Sequence, residues 1–108
     1  MTMQIAADEL LRELALLDAT MAKVARQAGM GHAPDLERKL DTHLRSLRVL
    51  LDDNGAAIAE DTVDAAKRAL DSAEPAAPLL VLKMARGNLA AVVRRQAARS
   101  EAVAARAA

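Results

Sequence analysis

The spacing of apolar residues in the first quarter of the chain constrains its fold more than any other feature. Intervals of four and three residues alternate along the series Leu10, Leu14, Leu17, Met21, Val24 and Ala28. On an α-helix, this spacing aligns the side chains in one stripe that can pack against another helix. On a strand, the same residues would be divided between two faces, so the spacing predicts a helix over about residues 3–28.

A second series of leucines predicts another helix, and a turn separates it from the first. In the turn, Gly29 suits a left-handed helix end and Pro34 cannot lie inside a helix. The second helix is expected to begin near Asp35, which can cap it or place negative charge in its first turn. Its apolar stripe consists of Leu36, Leu40, Leu44, Leu47 and Leu51.

The residues after Leu51 leave two interpretations open. The Asn54-Gly55 pair could form a turn that ends the helix, or it could be a weak point within one long helix. Apolar residues continue in helical phase through it to Ala69, and one glycine inside a helix costs only about 1 kcal/mol. We therefore predict a single long helix over residues 35–73.

Two prolines, Pro75 and Pro78, predict a firm break before the last helix. We expect that helix to cover residues 79–106, with its apolar face formed by Leu79, Leu82, Leu89, Val92 and Val93. Beyond Val93 the apolar pattern thins to alanine. Residues 97–108 are therefore expected to be helical but weakly anchored, with frayed ends.

These elements predict an all-α fold in one domain, residues 1–108, either an antiparallel helical hairpin or a three-helix bundle with long helices. The core should be thin, because the chain has 27 alanines and no aromatic residue, and alanine buries little surface. We expect the remaining apolar stripe to be covered by oligomerisation or by a helix of a partner protein.

Residue types that the chain lacks exclude several classes of function. With no cysteine there is no thiolate nucleophile and no Cys-based metal site, and without aromatics there is no base-stacking platform. We predict no cofactor, no metal site and no nucleic-acid partner. Residues 1–7 lack the basic region of a signal peptide, and the longest apolar run, residues 76–82, is too short to cross a bilayer. We therefore expect a cytoplasmic protein without membrane insertion.

The net charge is zero, but the charges are unevenly distributed. Residues 52–74 contain seven acidic side chains, and residues 83–106 contain six basic ones. We interpret them as two solvated faces that attract one another across an antiparallel contact. The alternative is a basic tail for nucleic acid or anionic lipid, which would need several phosphate contacts.

The two histidines are the main candidates for chemistry. We expect His32 to be an exposed loop residue, and His43 to be a boundary residue that contacts Asp41, Arg48 or water. The alternative for His43 is the phospho-accepting residue of a four-helix phosphotransfer domain, although Leu44 stands one position early for that pattern. We assign no catalytic residue and predict that the protein is not an enzyme. Met21 and Met84 are predicted to fill the core.

Residues 47–75 resemble the characteristic stretch of the FlgN-type flagellar export chaperones. In that family a leucine-rich helix leads into an Asn-Gly pair, and a second helix follows it. Here Leu47 and Leu50 precede Asn54-Gly55, and Ala69-Leu70 closes the later helix. The resemblance implies a cytoplasmic chaperone that shields an amphipathic helix of a hook–filament junction protein until export.

The candidate partner-binding residues lie on the helix after the Asn-Gly pair: Ile58, Val63, Ala66 and Leu70. An ordinary core position is the alternative for each of them. The competing function is a homo-oligomeric structural or regulatory bundle with no separate client, because the leucine stripes suit self-association equally well.

Overall fold

Four helices make up the part of the chain that is described in the computed structural model, which covers the backbone of residues 2–107 and the side chains of residues 7–107. The helices are α1 (Thr2–Gln27), α2 (Pro34–Leu50), α3 (Asp53–Asp71) and α4 (Ala76–Ala107). Within residues 2–107 there is no strand. The predicted all-α class is therefore confirmed, with four helices instead of two or three.

Short connections make successive helices antiparallel, and the four pack into an elongated bundle of 53 × 22 × 20 Å. Both α1 and α3 pack against α2 and against α4, and they also touch each other across the centre. The helices α2 and α4 therefore occupy opposite corners of the bundle.

The leucine stripes predicted from the sequence meet in the core. Every large residue of the first two stripes is buried, from Leu10 to Val24 on α1 and from Leu36 to Leu51 at α2. On the other two helices the core consists of small or branched residues, chiefly Ala59, Val63, Ala66, Leu70, Leu82, Leu89 and Val93. The leucine stripes of α1 and α2 are thus buried within one chain, and neither of them is the remaining stripe that we expected a second copy or a partner to cover.

The prediction of one helix over residues 35–73 is wrong. Leu51 is extended, and Asp52 caps α3 by accepting a hydrogen bond from the Gly55 N–H at 2.8 Å. The side chain of Gln96 on α4 accepts from the Asp52 N–H at 3.1 Å and donates to the Leu50 carbonyl at 2.7 Å. Backbone groups freed by the break therefore have partners, which apolar spacing could not reveal.

The connection between α1 and α2 has the left-handed glycine that the sequence predicts. Gly29 has φ +80°, and a Cβ placed on it would lie 3.0 Å from Cγ of Pro75. The two connections at this end of the bundle are therefore in close contact. Pro34 is the first residue of α2, and Asp35 lies in its first turn without capping it, because Ala33 occupies the cap position.

The last helix begins three residues before the predicted start at Leu79. It starts at Ala76, so Pro78 lies in the first turn, where the N–H that proline lacks has no helical partner in any case. The chain remains helical to Ala107. Of the side chains that the structure describes, none beyond Ala97 is buried.

Candidate functional site

A small polar cluster lies between α1 and α2, formed by Glu13, Thr20 and His43. Thr20 Oγ1 and His43 Nε2 share a hydrogen bond of 2.9 Å. On the other side of the ring, Nδ1 of His43 lies 3.7 Å from Oε2 of Glu13. The protein contacts of His43 are thus with two residues of the neighbouring helix, where Asp41 or Arg48 was expected.

The order carboxylate, imidazole and hydroxyl is that of a nucleophilic triad, but the geometry does not suit catalysis. Thr20 and His43 line an open pocket on the surface between α1 and α2, but Thr20 itself is only 6% exposed. The separation of 3.7 Å between Glu13 and His43 is too long for a hydrogen bond. Phosphorylation of His43 at Nε2 would first have to break its bond to Thr20. We interpret the cluster as a polar contact that aligns α1 with α2.

Ion pairs on the surface connect all four helices. One of them runs from Lys67 Nζ to Asp41 Oδ1 at 2.7 Å, and this hydrogen bond raises the pKa of Lys67 above its ordinary value. Between the acidic and basic segments, Arg99 reaches Asp52 at 3.4 Å. Arg86, another base of that segment, instead pairs with Asp18 on α1 at 2.7 Å. The expected attraction between the two segments is thus present only in part.

Large apolar side chains remain exposed on the outer side of α4. Leu80, Val81 and Met84 are 61%, 55% and 65% exposed, and Ala77 lies one turn before them on the same side. We call these four residues the α4 face. Their positions are the i, i+3, i+4 and i+7 of a helix that packs along one stripe. The prediction that Met84 fills the core is wrong, whereas Met21 is buried as predicted.

A shallow apolar groove extends the α4 face towards α3. Ala77, Pro78 and Val81 form one wall, and Ala65 and Arg68 form the other. The groove arises because small alanines line α3 here and let the two helices approach closely. Sequence spacing could not locate it, since its position depends on which side of α4 the bundle covers.

One described helix, α4, is long and apolar enough to cross a membrane by length and composition alone. Its most apolar 18-residue window has a mean hydropathy of 1.4, and 22% of that window is buried. A core helix of a soluble protein can have the same length and composition, although such a helix is mostly buried.

Of the four partner-binding candidates, Val63, Ala66 and Leu70 are buried in the core. Ile58 is half-buried and packs against that core. Within the single chain the first three are therefore not accessible to a partner, and the alternative of an ordinary core position describes them. Comparison with protein-family models, curated proteins and solved structures found no match.

Proposed function

We propose that the protein is a non-enzymatic binding protein whose α4 face holds an amphipathic helix of a partner protein. The observation that carries this proposal is the exposure of Leu80, Val81 and Met84 side by side while the leucine stripes of α1 and α2 are buried. Other exposed apolar side chains, such as Met30 and Val49, lie elsewhere on the surface, whereas these three are contiguous. A contiguous apolar patch is typical of an interaction site.

An amphipathic helix fits the shape and charge of this surface. The α4 face covers two helical turns, and the groove beside it can accept side chains at helical spacing. Exposed acids of α3, among them Asp61 and Asp64, lie on the helix that forms the far wall of the groove. Basic side chains flanking the apolar stripe of a partner helix would complement them, and an acidic one would complement Arg68 in the same wall.

The more specific proposal is a cytoplasmic FlgN-type export chaperone with a hook–filament junction protein as its client. The segment that resembles this family, residues 47–75, contains the whole of α3. Asn54-Gly55 lies in the first turn of α3, and Ala65 and Arg68 of the same helix line the groove. The helix that resembles the family, α3, therefore lies next to the exposed α4 face and forms one wall of the groove.

Self-association through the α4 face is the second candidate function, because the patch would suit another copy of this chain. Stable interfaces usually bury about 800 Å² on each partner. The α4 face offers four side chains over two turns, which suits one docked helix better than a stable dimer.

The decisive experiment is titration of the junction protein encoded in the same genome into the purified full chain. We expect a one-to-one complex that Leu80→Asp combined with Met84→Asp weakens at least a hundredfold, because unpaired carboxylates resist desolvation. Val49→Asp is the matched control, since Val49 is 85% exposed but lies on α2 away from the patch.

Three outcomes would contradict parts of the proposal. If the junction protein does not bind, the proposed client is wrong. If Val49→Asp weakens binding as much as the double variant, the α4 face is not the site. If sedimentation shows that the double substitution dissociates a homo-oligomer and has no effect on partner binding, self-association is the function of this surface. Circular dichroism verifies that each variant stays helical.

A further inference from the structure

Three potential metal ligands converge at the end of the bundle where the α1–α2 connection meets α3. They are His32 from the connection, Glu37 near the start of α2 and Asp71 at the end of α3. One donor atom of each lies within 4.8 Å of the donor atoms of the other two. The cluster brings together side chains that are far apart in sequence, and composition alone gave no reason to expect it.

The separation between His32 and Glu37 is compatible with an ion pair and with a shared metal ion. His32 Nδ1 and Glu37 Oε2 are 3.6 Å apart, which is too far for a hydrogen bond. Two ligands that each lie about 2.0–2.1 Å from a tetrahedral zinc ion are about 3.3 Å apart. A small adjustment of the exposed His32 and Asp71 and the half-buried Glu37 would therefore close the site around an ion.

The charges of the three ligands favour a divalent cation, although Lys23, Arg26 and Lys39 line the pocket beside His32. Two carboxylates and a neutral imidazole give a net charge of about 2−, which such an ion neutralises. Lys67 interacts electrostatically with Glu37, but its ammonium group is already paired with Asp41 at 2.7 Å. It therefore does not supply the counter-charge by direct contact.

Backbone packing holds the ligands near one another without an ion. Gly29 and Gly31 have φ +80° and +103°, a geometry that turns the connection back over the bundle end. Gly29 rests against Pro75, four residues after Asp71 in the chain. The part of the site that comes from the connection is thus seated beside the end of α3.

We propose that His32, Glu37 and Asp71 bind one zinc ion, with water completing the coordination. Imidazole together with carboxylates is a ligand set that zinc accepts, whereas magnesium and calcium prefer oxygen ligands alone. The ion ties the α1–α2 connection to α3 and so stabilises this end of the bundle. The inference does not depend on the proposed partner.

The test is calorimetric titration of zinc chloride alone into the metal-free full chain at neutral pH. We expect one saturable site per chain, and at least tenfold weaker binding for each of His32→Ala, Glu37→Gln and Asp71→Asn. His43→Gln is the matched control, because it removes the other histidine of the chain, and Asp61→Asn removes an exposed carboxylate outside the cluster.

A second measurement separates a built site from scattered surface binding. Zinc should raise the melting temperature of the wild type and of His43→Gln, and should leave that of His32→Ala unchanged. The proposal fails if no saturable binding occurs, if His32→Ala binds zinc as tightly as the wild type, or if the control variants lose binding instead.

Discussion

At the scale of single residues, two glycines inside helices differ in the space available for a side chain. A Cβ on Gly55 would lie 3.1 Å from Cδ2 and 3.3 Å from Cβ of Leu51, whereas a Cβ on Gly87 would meet nothing within 4 Å. Alanine is better than glycine in a helix by about 1 kcal/mol. We therefore expect Gly87→Ala to raise the free energy of unfolding by about that amount.

Gly55→Ala should instead lower stability, since the added methyl group must displace Leu51 and the capping carboxylate of Asp52. Urea unfolding of both variants measures the difference. Equal stabilisation by the two substitutions would show that the crowding around Gly55 is unimportant.

The hydrogen bond between Thr20 and His43 makes a second prediction at this scale. Thr20→Val keeps the shape of the side chain but leaves a half-buried ring nitrogen without its partner. We expect a loss of about 1 kcal/mol in unfolding free energy. Thr42→Val is the control, since the Thr42 hydroxyl is exposed and bonds only to the carbonyl of Arg38. Equal losses in the two variants would contradict the structural role of the polar cluster.

Lys67 gives a prediction about pH. Its pKa is raised above 10.5 chiefly by the hydrogen bond to Asp41, so folding favours the charged form. This stabilisation is complete well below pH 10.5 and is lost as the pH rises through the folded-state pKa. Because Asp41 is half exposed, Asp41→Asn should cost only about 0.5 kcal/mol at neutral pH.

A titration of Lys67 followed by NMR measures this effect. Its pKa should fall in Asp41→Asn and stay raised in Asp18→Asn, which breaks only the pair with Arg86. An unchanged pKa in Asp41→Asn would show that the ion pair does not persist in solution.

At the scale of elements, the break between α2 and α3 is stabilised by the Asp52 cap and by the hydrogen bonds of Gln96. Asp52→Ala removes the acceptor for the Gly55 N–H and the partner of Arg99. We expect a loss of about 1 kcal/mol, with Asp53→Ala as a control that leaves the cap intact. Identical stability of Asp52→Ala and the wild type would indicate that the hydrogen bonds of Gln96 are sufficient to hold the break between α2 and α3.

Apolar spacing predicted the buried stripes of α1, α2 and α4, because large residues at helical intervals indicate one face of a helix directly. The break at Leu51 could not be predicted in this way, since the connection is too short to disturb the phase of the leucines. The hydrogen bonds from Gln96 that support it come from 44 and 46 residues away in sequence.

The candidate surface was harder to predict than the core. On α3, Val63 and Leu70 have the spacing of either a core or an interface, and only the packing of α4 over them decides between the two. On α4, apolar residues surround much of the N-terminal half, so the pattern alone does not show that Leu80 and Met84 face outward.

At the scale of the whole molecule, buried and exposed leucines should separate folding from binding. Leu70 is fully buried, and Leu70→Ala should lower stability by about 2–5 kcal/mol. Leu80→Ala should change stability by less than about 0.5 kcal/mol, because its side chain is mostly in solvent. Among folded molecules, Leu80→Ala should weaken partner binding more than Leu70→Ala does. A loss of stability in Leu80→Ala as large as that in Leu70→Ala would contradict the exposure of Leu80.

The central claim, that a partner helix covers the α4 face, can be tested by chemical protection. The chain has no cysteine, so Met84→Cys and Val49→Cys each introduce a unique exposed thiol. The measurement is the rate at which a maleimide modifies each thiol with and without saturating junction protein. The account predicts at least tenfold slower modification at position 84 in the complex and no change at position 49. An unprotected thiol at position 84 in a formed complex, or equal protection at both positions, would contradict it.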